Sequence, residues 1–149
     1  MDPVVTTRKV WESDLPALKL LYAEEGMPLP AKKDLLCGIA AANDAGELVG
    51  FIRILTIDDD LSAEANGNYV YPIIVFKSWQ GCGVGRALMQ AAHEKCGELK
   101  LVACKSSQEF YPKCGLVPLD WDEVAQVIAF DCECCPDKPT CYPKPFVLR

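Results

Sequence analysis

No apolar stretch in this chain approaches the roughly 20 residues needed to cross a bilayer, so a membrane partner is not expected. The start, Met1-Asp2-Pro3, lacks the basic-then-apolar order of a secretion signal, and a cytoplasmic protein is expected. Positive charge is in deficit: 15 Lys and Arg stand against 21 Asp and Glu, a net charge of −6. That argues against nucleic acid as a main partner. It mildly favours a cationic small substrate, although many soluble proteins are simply acidic. Histidine is nearly absent. The only one, His93, falls mid-helix and reads as a surface residue rather than a base. No internal repeat and no domain-scale linker appear, so residues 1–149 are expected to form one domain with a full core. Half the residues are apolar, which excludes wholesale disorder. Nine cysteines, an odd number without a secretion signal, make a disulfide framework a poor explanation. Cys37, Cys82, Cys96, Cys104 and Cys114 are scattered and read as small buried residues.

Val4 to Val10 reads as a strand, followed by Ser13 as N-cap of a helix carrying Pro16 and the apolar face Leu15, Leu18, Leu21, Tyr22. Gly26 ends it, and Pro28 and Pro30 make a loop. A short helix spans Ala31 to Leu36. Strands follow at Ile39 to Ala42 and Leu48 to Ile57, joined by the turn Asn43-Asp44-Ala45-Gly46. Tyr69 to Phe76 is a strand, Gly83 to Cys96 a helix and Leu99 to Ala103 a strand. Ser106 or Ser107 caps a short helix ending near Lys113, and Gln126 to Asp131 is the final strand. This order is mixed α/β.

Between Phe76 and the next helix lies Gln80-Gly81-Cys82-Gly83-Val84-Gly85-Arg86, in which three positions lack a Cβ. The N–H groups at the helix start and the helix dipole make such a turn an anion site suited to phosphate or pyrophosphate. The dinucleotide fingerprint is excluded by Arg86 or Leu88 where glycine is required. A Walker loop is excluded because Gly-Lys-Ser/Thr is missing. Gln80-x-x-Gly83-x-Gly85 directly after a strand resembles the acyl-CoA loop of the GNAT N-acetyltransferase superfamily. Phe110-Tyr111-Pro112-Lys113-Cys114-Gly115-Leu116 resembles the family's Phe-Tyr-x-Lys-x-Gly-Phe segment, with Leu116 replacing the usual aromatic. The two motifs, in the family's order and spacing, cover roughly residues 70 to 117.

The resemblance implies the GNAT fold, a strongly twisted mixed sheet flanked by helices with acyl-CoA between two splayed central strands. It also implies acetyl-CoA as cosubstrate and an amine, small or on a protein, as acceptor. The pantetheine arm would pair with backbone groups of Ile73, Ile74, Val75 and Phe76, which is strand addition by a ligand. The pyrophosphate would meet Gln80, Gly81, Cys82, Gly83, Val84, Gly85 and Arg86. For chemistry, the resemblance puts an oxyanion donor at the Val75 N–H and a general acid at Tyr111. No carboxylate stands in Asn68-Tyr69-Val70-Tyr71, where many relatives carry a glutamate. Glu64, Glu24 and Glu25 lie nearby in loops, and water is a sufficient proton acceptor. Acceptor contacts are expected from Glu24, Met27 and Pro28, from Tyr69 and Tyr71, and from Leu119-Asp120-Trp121-Asp122. There Trp121 between two carboxylates would seat a cation or, equally, pack at a hairpin tip.

The resemblance leaves Cys132-Glu133-Cys134-Cys135-Pro136-Asp137-Lys138-Pro139-Thr140-Cys141 unexplained. Cys132 and Cys135 have a two-thiolate bite, with Cys141 as a third ligand for structural zinc. Reduced thiols are the other main reading. Beside the transferase reading stand an acyl-CoA sensor without catalysis and a metal-binding interaction module. Monomer and homodimer both remain open.

Overall fold

A computed structural model describes residues 5–133 and 142–149. Its strands are β1 (Thr6–Lys9), β2 (Ile39–Ala42), β3 (Leu48–Ile57), β4 (Gly67–Val75), β5 (Leu99–Ala103), β6 (Val117–Pro118) and β7 (Lys144–Leu148). Its α-helices are α1 (Leu15–Glu24), α2 (Lys32–Leu36), α3 (Val84–Cys96), α4 (Phe110–Lys113) and α5 (Gln126–Glu133). The strands form one mixed sheet in the order β1-β2-β3-β4-β5-β7-β6. β4 pairs with β5 in parallel, through Asn68↔Leu99 and Tyr69↔Lys100. By chain contacts the protein divides into two compact units, one from Met1–Ile54 and Tyr71–Lys95, the other from Leu55–Val70 and Cys96–Arg149.

In the first unit, β3 begins with five consecutive buried residues, Leu48 to Ile52. Such a run means both faces of the strand are covered. α1 supplies one cover: Leu18, Leu21 and Tyr22, at helical spacing, are buried, and the Tyr22 ring lies 6.1 Å from that of Phe51. α3 supplies the other. A Cβ at Gly50 would stand 2.9 Å from a Val84 methyl and 3.1 Å from Leu88, so this crossing requires glycine. α1 ends at Gly26, whose φ of +67° suits glycine.

Ser13 does not cap α1. It lies inside a 3₁₀ turn, Glu12–Asp14, and Asp14 takes the capping position. The Asp14 carboxylate is engaged elsewhere. It accepts two hydrogen bonds from the Arg8 guanidinium at 2.7 and 2.9 Å and one from the Trp11 N–H at 2.7 Å. Arg8 in turn stacks 3.6 Å over the Trp11 ring. Burial pushes the Asp14 carboxyl up, but the Arg8 and Trp11 bonds outweigh it and hold the group below its ordinary value. A lowered carboxyl adds stability above its unfolded pKa and loses it as pH falls through the lowered one. Asp14→Asn is therefore expected to cost about 3 kcal/mol at neutral pH. The gap from the parent should shrink below about pH 4. Urea unfolding at both pH values measures it.

In the second unit, Tyr69, Leu119, Val124, Ala125, Ile128 and Val147 form a core. The Tyr69 hydroxyl donates to the Ala65 carbonyl and accepts the Ala125 N–H at 2.8 Å. Lys100, 3% exposed, donates through Nζ to the carbonyls of Glu64 and Glu123.

Three expectations are corrected here. Gln126 to Asp131 is helical, part of α5, not a strand. The run Val124 to Phe130 is apolar throughout apart from Gln126, so periodicity could not distinguish the two. The helix buries Ile128 and exposes Val127 and Phe130, and the Asp60 carboxylate accepts the Gln126 N–H. The last strand is β7, antiparallel to β5 and carrying Pro145 opposite Val102. A proline that cannot donate to the ladder hid it. The five scattered cysteines are not buried. Cys37 and Cys104 are exposed, and Cys82, Cys96 and Cys114 are partly exposed, because all five sit in turns or at element ends rather than in interiors.

Candidate active site

β4 ends at Val75, and a 3₁₀ turn, Lys77–Trp79, leads into the glycine loop. The Phe76 N–H donates to the Val49 carbonyl on β3, 3.0 Å away. Backbone groups alternate in direction along a strand, so the N–H and C=O of Ile73 and Val75 point away from β3. The Val75 carbonyl accepts the Gln80 side-chain amide at 3.0 Å. Gln80 thus ties the loop to the last residue of β4, and the Val75 N–H points the same way as that carbonyl. Of the four residues expected to pair with a pantetheine arm, Ile73 and Val75 have this orientation. Phe76 spends its donor on the sheet, and the Ile74 carbonyl lies on the Gly50 side of β4.

Gly81 and Gly83 have φ of +79° and +85°, a region that L side chains rarely adopt. A Cβ built on either meets no atom within 4 Å. The loop is therefore open above both residues, with room for a ligand against the backbone. The ladder of α3 starts with the Ala87 N–H on the Gly83 carbonyl, at 3.1 Å. The N–H groups of Val84 and Gly85 precede it and point out of the helix end, where the dipole favours an anion. Gln80 and Arg86 are exposed, and Cys82 is partly so. This arrangement fits the diphosphate of a CoA-type group.

Glu24, expected to touch the acceptor, has a partner in the same unit. Its carboxylate accepts the Lys77 N–H at 2.6 Å. That links the end of α1 to the segment entering the loop. The pairing joins residues 53 apart, and no sequence spacing signals it. Tyr71 is 38% exposed on β4. His93 is partly exposed in α3, as expected of a surface residue.

Tyr111 belongs to the second unit. It is buried in α4, with its ring 5.1 Å from Phe110 and 6.2 Å from Phe146. Burial pushes the phenol up, the Cys104 and Cys114 thiols add to this, and a Ser107 hydrogen bond opposes them, leaving it at about 12. The hydroxyl therefore carries its proton at all physiological pH. Trp121 stands in a 3₁₀ turn, Trp121–Glu123, and is 41% exposed, so of its two equal readings the hairpin tip is not found there. Of the candidate metal ligands, Cys135 and Cys141 lie outside the described residues, as does the Cys132 side chain. Among the described residues no group of three His, Cys, Asp or Glu is placed to hold a metal.

The model of the acetyltransferase (GNAT) family matches residues 7–116. No curated protein sequence matches the chain. In fold the chain is similar to N-acetylglutamate synthase from Neisseria gonorrhoeae complexed with coenzyme A and N-acetyl-glutamate. The TM-score is 0.74 at 17% identity, covering 100% of this chain and 36% of that one. It is also similar to a Mycobacterium tuberculosis protein in complex with CoA, with TM-score 0.69 and 17% identity over 96% of this chain and 98% of that one. An Arabidopsis thaliana protein in complex with the bisubstrate analogue CoA-Ac-MVNAL gives TM-score 0.58 and 21% identity, over 78% and 85%. The chain spans about a third of the length of the synthase. Family match, mixed seven-stranded sheet and open glycine loop agree: this chain belongs to the GNAT acetyltransferase family.

Proposed function

We propose that this chain is an acetyl-CoA-dependent N-acetyltransferase that passes the acetyl group directly to a primary amine while both substrates are bound. The observation that carries this reading is the open, left-handed glycine loop at the start of α3, tied by Gln80 to the end of β4. Neighbours in complex with CoA, and one with a CoA–peptide bisubstrate analogue, support it.

In this reading the backbone from Gly81 to Arg86 holds the diphosphate, and Ile73 offers its outward backbone groups to the pantetheine arm, while the Val75 carbonyl stays with Gln80. Acetyl-CoA supplies an acetyl group activated as a thioester. The Val75 N–H donates to the acetyl oxygen as negative charge develops on it. The Tyr111 hydroxyl supplies the proton for the departing sulfur. The proton lost by the amine passes to water. Tyr71 and Trp121, both exposed, are assigned to the acceptor side, and the chain acts as a single catalytic domain.

The test is a turnover screen: purified protein, acetyl-CoA, an amine panel and detection of free thiol. Amine-dependent thiol release is expected. Saturable acetyl-CoA binding with no release beyond the amine-free rate for any amine would instead make the chain a sensor. Glu24 has a positioning role here. Glu24→Gln keeps an oxygen that accepts the Lys77 N–H and should leave the acetyl-CoA KM within about threefold. Glu24→Ala should raise it about tenfold, an effect of ~1.4 kcal/mol. Equal KM values for both variants would remove Glu24 from the account.

A further inference from the structure

The second unit carries an uncovered apolar surface at the start of α5. Val127 and Phe130 stand three residues apart, neighbours on the helix surface, and are 52% and 65% exposed. The Asp60 carboxylate accepts the Gln126 N–H at 2.6 Å, which sets the next residue of its loop, Leu61, beside the same helix end. Leu61 is 94% exposed. Trp121 is exposed in the turn that precedes α5. The Asp60 loop and the Trp121 turn are stitched together from inside. Lys100 Nζ donates to the Glu64 and Glu123 carbonyls, and the Tyr69 hydroxyl joins the Ala65 carbonyl to the Ala125 N–H. Single exposed apolar side chains are ordinary, but a group held together at one helix end marks a contact surface.

The charge around these side chains decides what fits them. Four carboxylates fall between Asp58 and Glu64 and three between Asp120 and Glu123, with no Lys or Arg in either segment. The chain's other 14 Asp and Glu nearly balance its 15 Lys and Arg, so its net charge of −6 resides on this one surface. Among the described residues no Lys or Arg forms an ion pair with any of the seven. Lys100, buried beneath them, spends its donors on carbonyls.

A second copy of the chain would set carboxylate against carboxylate here, and nucleic acid or an anionic membrane would be repelled in the same way. A small polycation would meet the charge but leave the apolar side chains in water. A polypeptide segment with an apolar stripe flanked by lysine or arginine meets both. Its stripe would cover Leu61, Val127 and Phe130, and its cations would reach the carboxylates around them. We propose that the start of α5, with Leu61 and Trp121 beside it, is a docking surface for a basic amphipathic segment of another protein. Docking there is independent of acetyl transfer.

The probe is a fluorescein-labelled Lys/Leu peptide of about 14 residues, with leucine at helical spacing, titrated with the intact chain. Two controls share its length: a scrambled peptide of the same composition, and a peptide with glutamate for every lysine. The Lys/Leu peptide is expected to bind saturably at one site per chain, about tenfold tighter than the scrambled one, a difference of ~1.4 kcal/mol. Its affinity should fall as salt is raised, and the glutamate peptide should not bind. Val127→Ser combined with Phe130→Ser should weaken binding about tenfold and leave the salt dependence in place. Asp58→Asn combined with Asp59→Asn should weaken it several-fold and flatten the salt dependence. All four side chains are exposed, so both variants should keep the parent's thermal midpoint. Equal affinity for the scrambled peptide overturns the docking surface. So does parental affinity in the serine variant, the outcome expected if the chain's own residues 134–141 cover Phe130. A dimer in sedimentation that is lost in Phe130→Ser would put a second copy on this surface instead.

Discussion

Tyr111→Phe is expected to lower acetyl transfer by about 10²–10⁴-fold while acetyl-CoA affinity stays within about threefold. Phenylalanine keeps the ring against Phe110 and Phe146, so the thermal midpoint should hardly move. Only the hydroxyl and its Ser107 hydrogen bond are lost. A general acid acts in the transition state, so the loss should fall on kcat. The parent should show no alkaline loss of activity from this phenol until pH nears its pKa of about 12. A folded Tyr111→Phe protein with parental turnover would leave Tyr111 as packing alone.

Gly85→Val is expected to weaken acetyl-CoA binding roughly 10- to 100-fold, about 1.4–2.7 kcal/mol. Gly85 is the second residue of α3, at the helix end proposed to hold the diphosphate. Valine is a slightly better helix former than glycine, so the variant should be no less stable than the parent. A binding loss then reflects the filled cradle. Gly83 is the poorer choice for this experiment. Its φ of +85° would strain any side chain by roughly 1–2 kcal/mol, with or without ligand. Unchanged affinity in Gly85→Val, within about threefold or ~0.7 kcal/mol, would contradict the placement of the diphosphate.

The parts of the fold that were legible in sequence are those whose signals are local. Leu99–Ala103 reads as a short apolar strand ending before polar residues and is one, and Gly26 and Gly97 end helices with positive φ. The glycine loop was legible for the same reason: a strand, a run with three glycines and an amphipathic helix follow one another directly between Tyr69 and Cys96. What was not legible depends on residues far apart. The helix α5 is capped by Asp60, and β7 is recruited by β5 despite Pro145. Ser13 is an ordinary capping residue that lost the position to Asp14, whose own side chain Arg8 holds. Within the candidate site, the turn at Gly81 and Gly83 and the start of the helix after it could be read from local sequence. The anchor of Glu24 on Lys77 and the outward aim of Ile73 and Val75 follow only once Val49 is seen to take the Phe76 N–H.

The central claim is that this glycine loop binds a CoA thioester, and calorimetric titration of the chain with acetyl-CoA tests it most directly. Saturable binding at one site per chain is predicted, in the micromolar range or about −8 kcal/mol, with competition by CoA. No saturable binding at millimolar acetyl-CoA, weaker than about −4 kcal/mol, would contradict it.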